Sequence, residues 1–207
     1  MKKIFTCIPA LLLLLLSTAC SEDVNNDGFY DNVDRIYFVN DSMNYSFGDK
    51  LSEVTRYTLN YPVRIMGLKA TQELKFKISI ISEEAPENSD IIIAREGVHF
   101  ENLSPDYAVL IDSVNAYIPV VLLREQLTEE IKTYRLKLKL ESTADIIPGV
   151  KESQTATITF NNYLEEPSWW QGFFAAYAPN YEPGMYQRMI AFFGGPLEEE
   201  GIWDRYL

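Results

Sequence analysis

Cysteine and histidine are scarce in this chain of 207 residues, which holds two cysteines and one histidine. Both cysteines, Cys7 and Cys20, lie near the N-terminus, so the rest of the chain can form no disulfide and offers no thiol nucleophile. A zinc site needs a cluster of cysteine or histidine ligands, and none exists. The single histidine, His99, lies between Val98 and Phe100 without a nucleophile motif, so we interpret it as structural.

Glycine-rich phosphate loops and clusters of basic residues are also missing. The chain has 18 Lys and Arg residues against 30 Asp and Glu residues, and no G-x-G-x-x-G segment. Phosphate contacts need clustered cations, so this balance argues against nucleic acid as a partner. Three pairs of adjacent glutamates occur: Glu83-Glu84, Glu129-Glu130 and Glu165-Glu166. A glycosidase needs two carboxylates that face each other across the substrate, so we interpret these pairs as solvated charge and predict no catalytic site.

One long apolar run exists, and it lies at the N-terminus. Met1-Lys2-Lys3 is followed by a mostly apolar segment, residues 5–16, and by the small residues Ser17-Thr18-Ala19. The run is about 12 residues long, short of the roughly 20 that span a bilayer. The three-part pattern is typical of a secretory signal peptide. An ordinary cleaved signal is one alternative, but small residues directly before Cys20 resemble a lipobox. This resemblance predicts that residues 1–19 are removed and that Cys20 is lipidated.

The residues after Cys20 are acidic and rich in turn formers. Their composition predicts a flexible tether over residues 20–34. Ser21-Glu22-Asp23 resembles the export tag of surface-exposed Bacteroidetes lipoproteins, which places the protein on the outer membrane, facing outward. Loss of Lys2 and Lys3 with the signal changes the formal net charge from −12 to −14.

Calcium is the one cofactor that the sequence of the tether indicates. The tether's oxygen-bearing residues follow the spacing of a calcium loop, with Gly28 at the turn. These candidate ligands are Asp23, Asn25, Asp27, Asp31 and Asp34. Solvated tether is the alternative interpretation, and no other cofactor is predicted.

Residues 35–161 alternate between apolar and polar positions. The clearest examples lie within residues 57–65, 74–80, 116–123 and 134–140. A period of two is typical of half-buried strands, and turn signals recur every 8–15 residues. We therefore predict a mainly β fold, an immunoglobulin-like antiparallel β-sandwich of seven or eight strands. Residues 116–123 are apolar at both parities, which predicts a central strand.

Residues 162–207 are rich in aromatic side chains and include all three tryptophans. Pro167-Ser168 and Pro183-Gly184 indicate two helix starts, and Gly194-Gly195 indicates a C-cap. We predict a short helical appendage. Aromatic rings can stack on sugar rings, so the candidate ligand-binding residues are Trp169, Trp170, Tyr177 and Trp203. Packing of these rings against the sandwich is the alternative.

Several segments resemble known families. The segment EGVHF at residues 96–100, with residues 117–120 and 134–138, resembles the Calx-beta type of immunoglobulin-like repeat. The chain as a whole resembles a Bacteroidetes lipoprotein family known as domain of unknown function 4843. Residues 61–67, 96–100, 120–124 and 166–170 carry this resemblance, together with Cys20 and its signal. The resemblance implies a surface or periplasmic lipoprotein associated with nutrient uptake, and no established activity.

These observations predict a lipid-anchored outer-membrane protein that is not an enzyme. Its expected role is to bind a ligand, with a glycan as the expected class, or to assist an outer-membrane nutrient-uptake complex. A purely structural stalk or adhesion module is the first alternative. A hydrolase with a carboxylate pair facing a cleft is the second.

Overall fold

The structure is a computed structural model that describes residues 34–174, 176 and 180–197. The described residues belong to one unit that begins at Asp34. Several predicted site residues lie outside the described residues: Cys20, Asp23, Asn25, Asp27, Asp31, Tyr177 and Trp203. In the described part of the chain, no helix is long and apolar enough to cross a membrane.

The described residues form ten strands and two α-helices. The strands are β1 Asp34–Phe38, β2 Ser42–Ser46, β3 Arg56–Met66, β4 Leu74–Ile80, β5 Ile91–Ile93, β6 Tyr107–Val109, β7 Asn115–Leu123, β8 Thr133–Glu141, β9 Ile146–Pro148 and β10 Thr155–Asn161. The helices are α1 Trp170–Phe174 and α2 Pro183–Phe193. A 3₁₀ turn, Lys151–Ser153, precedes β10.

The strands form two sheets, so the predicted β-sandwich is confirmed. The four-stranded sheet has the order β7-β3-β1-β9, and the six-stranded sheet has the order β2-β10-β8-β4-β6 with β5 beside β8. Three pairings are parallel, namely β1–β9, β10–β2 and β5–β8, and the others are antiparallel. The immunoglobulin-like plan is therefore antiparallel at its centre, with parallel additions by its short strands.

The alternation of apolar and polar residues along the strands explains which side chains form the core. Leu59, Tyr61, Val63 and Ile65 of β3 are all buried, whereas Asn60 and Arg64 between them are exposed. The same alternation in β4, β7, β8 and β10 fills the space between the sheets with aliphatic and aromatic side chains. Burial of one face of each strand is the main source of stability in a chain without disulfides.

The local sequence pattern does not predict two of the short strands, β2 and β9. β2 pairs with β10, and β9 pairs with β1. Ile147-Pro148-Gly149 has the composition of a turn, but Ile147 and Pro148 lie in β9. Both strands are brief and parallel to their partner, so their local pattern is weak and the pairing is provided by a distant strand.

The prediction that β7 is central was wrong. β7 lies at the edge of its sheet, and Tyr117 and Pro119 are exposed on its outer face. Glu101 N donates to Val121 O, and Leu123 N donates to His99 O. Residues of this parity direct their backbone groups away from β3, so the absent N–H of Pro119 belongs to the free edge, where proline is tolerated.

The sandwich has two ends that differ in composition. At the entry end, the chain enters at Asp34, and residues 67–73, 110–114 and 142–145 connect the strands. At the tail end lie residues 47–55 and 124–132 and the start of the aromatic C-terminal segment. The register Arg35 to Met66 and Leu74 to Val109 assigns the entry-end loops of both sheets to the same side.

Candidate functional site

A cleft of about 590 Å³ opens at the tail end, and we call it the tail cleft. It lies between the outer face of β2 and β10 and the segment that follows β10. Amide, hydroxyl, carboxylate and aromatic side chains line it. The lining residues are Asn44, Tyr45, Ser46, Asp49, Thr133, Thr159, Phe160, Asn161, Tyr163, Leu164, Glu165, Glu166, Pro167, Ser168, Tyr186 and Pro196.

The β2–β10 pairing assembles the polar wall of the tail cleft. Asn44 lies opposite Thr159, and Ser46 lies opposite Asn161. The Ser46 hydroxyl donates to Asn161 Oδ1 over 2.6 Å. Paired residues of neighbouring strands project to the same face, so these four side chains form one polar patch. The local sequence pattern does not reveal this patch, because its two strands are distant in the chain and the pattern does not predict β2.

Stacked tyrosines close the gap between the sheets beside the tail cleft. The rings of Tyr45 and Tyr57 lie 3.7 Å apart at an angle of 9°, and Tyr45 also meets Phe47 edge to face. Burial is the main cause that raises the pKa of Tyr45, and the neighbouring Tyr57 adds to it. Tyr45 therefore stays neutral, and its ring is packed against Tyr57 and Phe47 between the sheets.

Three carboxylates give the tail cleft a negative character, and none of its described lining residues is lysine or arginine. Glu165 accepts a hydrogen bond from the Tyr163 hydroxyl at 3.0 Å, and Glu166 accepts one from Gln171. Asp49 Oδ2 pairs with Lys50 at 2.9 Å, whereas Asp49 Oδ1 is buried without a hydrogen-bond partner among the described residues. The cleft therefore presents more acceptors than donors.

The aromatic tail has a small hydrophobic core of its own, and Tyr186 of this core lines the tail cleft. Trp169 and Trp170 are 6% and 0% exposed, and they pack with Tyr186, Ile190 and Leu197. This burial corrects the hypothesis that Trp169 and Trp170 stack on a ligand, because their faces are covered by other side chains. The alternative, that both rings pack within the protein, agrees with the structure.

Hydrogen bonds attach the helices of the tail to the segment after β10. Tyr181 donates its hydroxyl proton towards Leu164 O and Glu165 O at 3.1 and 3.0 Å. Burial raises the pKa of Tyr181 to about 12, so this donor is retained at neutral pH. The predicted C-cap is confirmed, since Gly194 has φ 78° and its N–H donates to Ile190 O. The position of Glu165 in the cleft thus depends on the tail.

A second cleft of about 670 Å³ lies beside α2, and Arg124 is one of the residues that line it. The Arg124 guanidinium donates to Asn162 Oδ1 at 2.9 Å and to Leu51 O at 2.7 Å. It also reaches Val54 O at 3.3 Å and lies 5.9 Å from the centroid of the Phe47 ring. These contacts hold the loop of residues 47–55, which connects β2 to β3, so we assign Arg124 a structural role.

Replacement of Arg124 by lysine is expected to lower the free energy of unfolding by about 2 kcal/mol. Lysine keeps the charge but lacks the planar fork that serves Asn162 and Leu51 together. Urea denaturation measures the change. The control is Arg56→Lys, because the Arg56–Glu101 ion pair is exposed at 66% and 42% and should contribute less than about 0.5 kcal/mol. Equal losses for the two variants would contradict the role of Arg124.

His99 lies in the EGVHF turn and lines neither of these clefts. It is 5% exposed, and its Nδ1 accepts a hydrogen bond from Arg95 N at 3.0 Å. Gly97, with φ 72°, closes the turn by donating its N–H to Phe100 O. Desolvation, followed by the charge of Arg95, lowers the pKa of His99 below 6.5. These contacts agree with the structural interpretation.

Stability is expected to fall as the pH drops below about 6.5, the ordinary pKa of histidine. The unfolded chain then binds a proton that buried His99 resists, so the stabilisation is present above pH 6.5 and is lost towards the lower pKa of the folded state. The urea midpoint between pH 7.5 and 5.5 measures this loss. His99→Asn, whose Oδ1 can still accept from Arg95 N, should flatten the profile. An unchanged slope in this variant would assign the effect to other groups.

The predicted calcium site lies mostly outside the described residues, so the structure does not test it. Within residues 34–174, 176 and 180–197, no three histidine, cysteine, aspartate or glutamate residues are arranged to hold a metal ion. Of the candidate calcium ligands, only Asp34 is described, and it opens β1 opposite Ile146.

Comparison with protein families gives one match. The family described as "Domain of unknown function (DUF4843)" matches residues 25–195, which is most of the chain. No curated protein matches the sequence.

Solved structures resemble the sandwich only distantly. A "putative carbohydrate binding protein" from Bacteroides ovatus ATCC 8483 has 13% identity and a TM-score of 0.48, over 63% of this chain and 38% of that one. A Bacteroides ovatus protein of unknown function has 14% identity and a TM-score of 0.44, over 60% and 43%. The apo-form Calx CBD1 domain has 10% identity and a TM-score of 0.40, over 62% and 96%. This chain thus spans less than half of either Bacteroides protein.

Proposed function

We propose that this chain, which belongs to the DUF4843 family, is a lipid-anchored surface protein that binds a glycan without converting it. The observation that carries the proposal is the tail cleft and its mixture of amide, hydroxyl, carboxylate and aromatic groups. The predicted signal and lipidated Cys20 supply the anchor, and the predicted export tag supplies the outward orientation.

The chemistry of the tail cleft suits a polyhydroxylated ligand. Sugar hydroxyls donate and accept hydrogen bonds, and amides such as Asn44 and Asn161 can do both. Carboxylates such as Glu165 accept strongly from hydroxyl donors. Tyr163, which also lines the cleft, adds an aromatic ring with a polar tip, which suits the apolar face of a sugar ring. The volume of about 590 Å³ is in the usual range of small-ligand sites.

The same chemistry predicts the kind of glycan. Because three carboxylates and no described lysine or arginine line the cleft, it should favour neutral or amine-bearing sugars. Sugars that carry carboxylate or sulfate groups should be repelled, since like charges at short range are unfavourable. An outer-membrane nutrient-uptake complex is the expected partner that would receive the ligand.

Glycan binding is tested with the mature chain, residues 20–207, on an array of neutral, amine-bearing and acidic glycans, followed by calorimetry. The Asn44 side chain is exposed and has no hydrogen-bond partner among the described residues, so Asn44→Ala can remove a ligand contact without disturbing the fold. We expect at least about a tenfold weaker Kd, which corresponds to about 1.4 kcal/mol.

The matched control is Asn60→Ala, because Asn60 is an exposed asparagine on the outer face of the other sheet. It should bind as the wild type does. Absence of binding to every glycan would contradict the proposal and favour a structural stalk or adhesion module. An equal loss in Asn44→Ala and Asn60→Ala would place the site elsewhere.

A hydrolase is the second candidate, and one observation favours it: Asp49, Glu165 and Glu166 line the same cleft. Two carboxylates across a substrate are the requirement for glycoside hydrolysis. Incubation with a bound oligosaccharide and measurement of new reducing ends tests this activity. Product formation that is lost in both Asp49→Asn and Glu165→Gln would replace the binding role with a catalytic one.

A further inference from the structure

Three large aliphatic side chains project into solvent at the entry end of the sandwich. Leu68 is 89% exposed, Leu110 is 63% exposed and Ile111 is 60% exposed. Single exposed aliphatic residues are common and need no explanation. Here all three lie on two loops that contact each other, residues 67–73 and 110–114. Clustered apolar exposure of this kind is typical of an interaction surface.

Backbone hydrogen bonds join the two loops. Ala70 N donates to Ser113 O at 3.0 Å, and Asp112 N donates to Ala70 O at 2.9 Å. Ser113 N donates to Leu110 O at 3.1 Å, which closes a tight turn with Asp112 at φ 61°. The turn therefore presents Leu110 and Ile111 on an ordered scaffold, and a partner can bind them at little cost in backbone entropy.

The chain enters the sandwich at the same end. Arg35 pairs with Met66, directly before the loop of Leu68, and Asp34 pairs with Ile146. The predicted tether runs from Cys20 to this point. A flexible chain of that length has a root-mean-square span of about 20 Å. A lipid at Cys20 would thus hold the entry end near the bilayer.

We propose that the entry end is a membrane-contact surface, in which Leu68, Leu110 and Ile111 enter the interfacial layer of the bilayer. This inference rests on the proposed lipid anchor. Each aliphatic side chain gains free energy when it leaves water for an apolar environment. The acyl chains supply the anchor, and the aliphatic contact would hold the entry end against the bilayer surface.

Lipid suits this surface better than a protein does. Strong protein interfaces are usually centred on aromatic residues or arginine, whereas the exposed apolar residues here are aliphatic. Charged neighbours of both signs, Lys69, Glu73 and Asp112, are exposed on the same loops, so electrostatic steering is weak. A second copy is disfavoured because two mature chains of formal charge −14 repel each other.

The contact would also orient the tail cleft. The entry and tail ends lie at opposite ends of the long strands, and β3 has 11 residues. At about 3.3 Å per residue, this places the tail cleft roughly 35 Å from the bilayer surface. The cleft would then open towards the medium, from which a glycan arrives.

The test anchors the mature chain artificially, so that it does not depend on acylation in cells. A hexahistidine tag replaces Cys20, and the protein is attached to phosphatidylethanolamine and phosphatidylglycerol vesicles that contain a nickel-chelating lipid. The mature chain then has no cysteine, so Leu110→Cys can carry one environment-sensitive nitrobenzoxadiazole probe. We expect a blue shift and at least about a twofold gain in emission on attachment, reversed by imidazole, because the probe leaves water.

The matched control is Ile131→Cys with the same probe. Ile131 is 70% exposed but lies at the tail end, in residues 124–132. Its emission should not change. Adding Leu68→Ser and Ile111→Ser to the Leu110→Cys protein should halve the gain or more. Unchanged emission at position 110, or an equal change at position 131, would overturn the proposal.

Two further outcomes separate this inference from the proposed function. Mass spectrometry of the native N-terminal peptide reports whether Cys20 is acylated. An unmodified Cys20 would contradict the proposed lipid anchor, whereas the vesicle experiment tests the contact surface separately. A response at position 110 that requires native membrane extract and is absent with pure lipid would replace the bilayer with a protein partner and overturn the proposal.

Discussion

Replacement of Gly48 by alanine is expected to lower the free energy of unfolding by about 3 kcal/mol or more. A Cβ at this position would lie 1.9 Å from Tyr163 O, 2.4 Å from Tyr163 C and 2.9 Å from Leu164 N. All three are backbone atoms, so no side-chain rotation can relieve the clash. The chain at Gly48 must separate from residues 163–164 before the variant can fold.

The separation should also distort the tail cleft, because Ser46, Asp49 and Tyr163 all line it. Two hydrogen bonds are at risk, from Phe47 N to Asn161 O at 2.9 Å and from Gly48 N to Ser46 Oγ at 3.1 Å. Thermal unfolding followed by circular dichroism measures the stability. In a soluble Gly48→Ala protein, weakened glycan binding would show that the cleft depends on this close approach.

Gly184→Ala is the matched control for this prediction. Gly184 lies in α2, and a Cβ there would meet no atom within 4 Å. Alanine is the better helix former by up to about 1 kcal/mol. The same substitution should therefore be neutral or slightly stabilising at position 184. Similar losses at positions 48 and 184 would refute the steric explanation.

Replacement of Trp170 by alanine is the second change with a large expected effect, a loss of about 3–5 kcal/mol. Trp170 is fully buried, and its ring meets those of Phe174 and Tyr181 at centroid distances of 4.9 and 5.0 Å. Removing the indole leaves a cavity at the centre of the tail's small core. We measure the loss by urea denaturation.

The loss should be concentrated in the tail. The buried residues of the tail and of the sandwich form two separate hydrophobic clusters. Hydrogen exchange should therefore accelerate within residues 164–197 of Trp170→Ala and stay slow in β3. Uniform acceleration across both regions would show instead that the two cores unfold as one unit.

Phe192→Ala provides the aromatic control. Phe192 is 83% exposed and lies on the same helical appendage. Its removal should change the free energy of unfolding by less than about 0.5 kcal/mol, because folding buries little of the apolar surface of this ring. A loss comparable with that of Trp170→Ala would imply that the exposed face of α2 is covered by a part of the chain outside the described residues.

The strands with a strict period of two were predictable from local pattern alone. β3, β4, β8 and β10 alternate over seven or more residues, and burial of one face follows directly. The pattern located β7 correctly but predicted a central strand, whereas β7 lies at the edge of its sheet. Pro119 was the informative residue, since a missing N–H is best tolerated at an edge.

The candidate site was less predictable than the fold. Ser46 and Asn161 are 115 residues apart, and only strand pairing brings them together. The aromatic composition of the tail indicated helices and a ligand surface, but the direction of each ring depends on packing. Trp169 and Trp170 point into the tail core, whereas Tyr163 lines the cleft.

The sequence was enough to predict the family, the sandwich class and the helical appendage, because alternation, capping residues and motifs are local properties. It also predicts the lipid anchor at Cys20 from a local signal. Tertiary structure alone decided which polar groups meet in the tail cleft, which tryptophans are buried and which loops share the entry end. The physical reason is that strand order and side-chain packing depend on contacts between residues that are distant in the chain, and no local pattern records them.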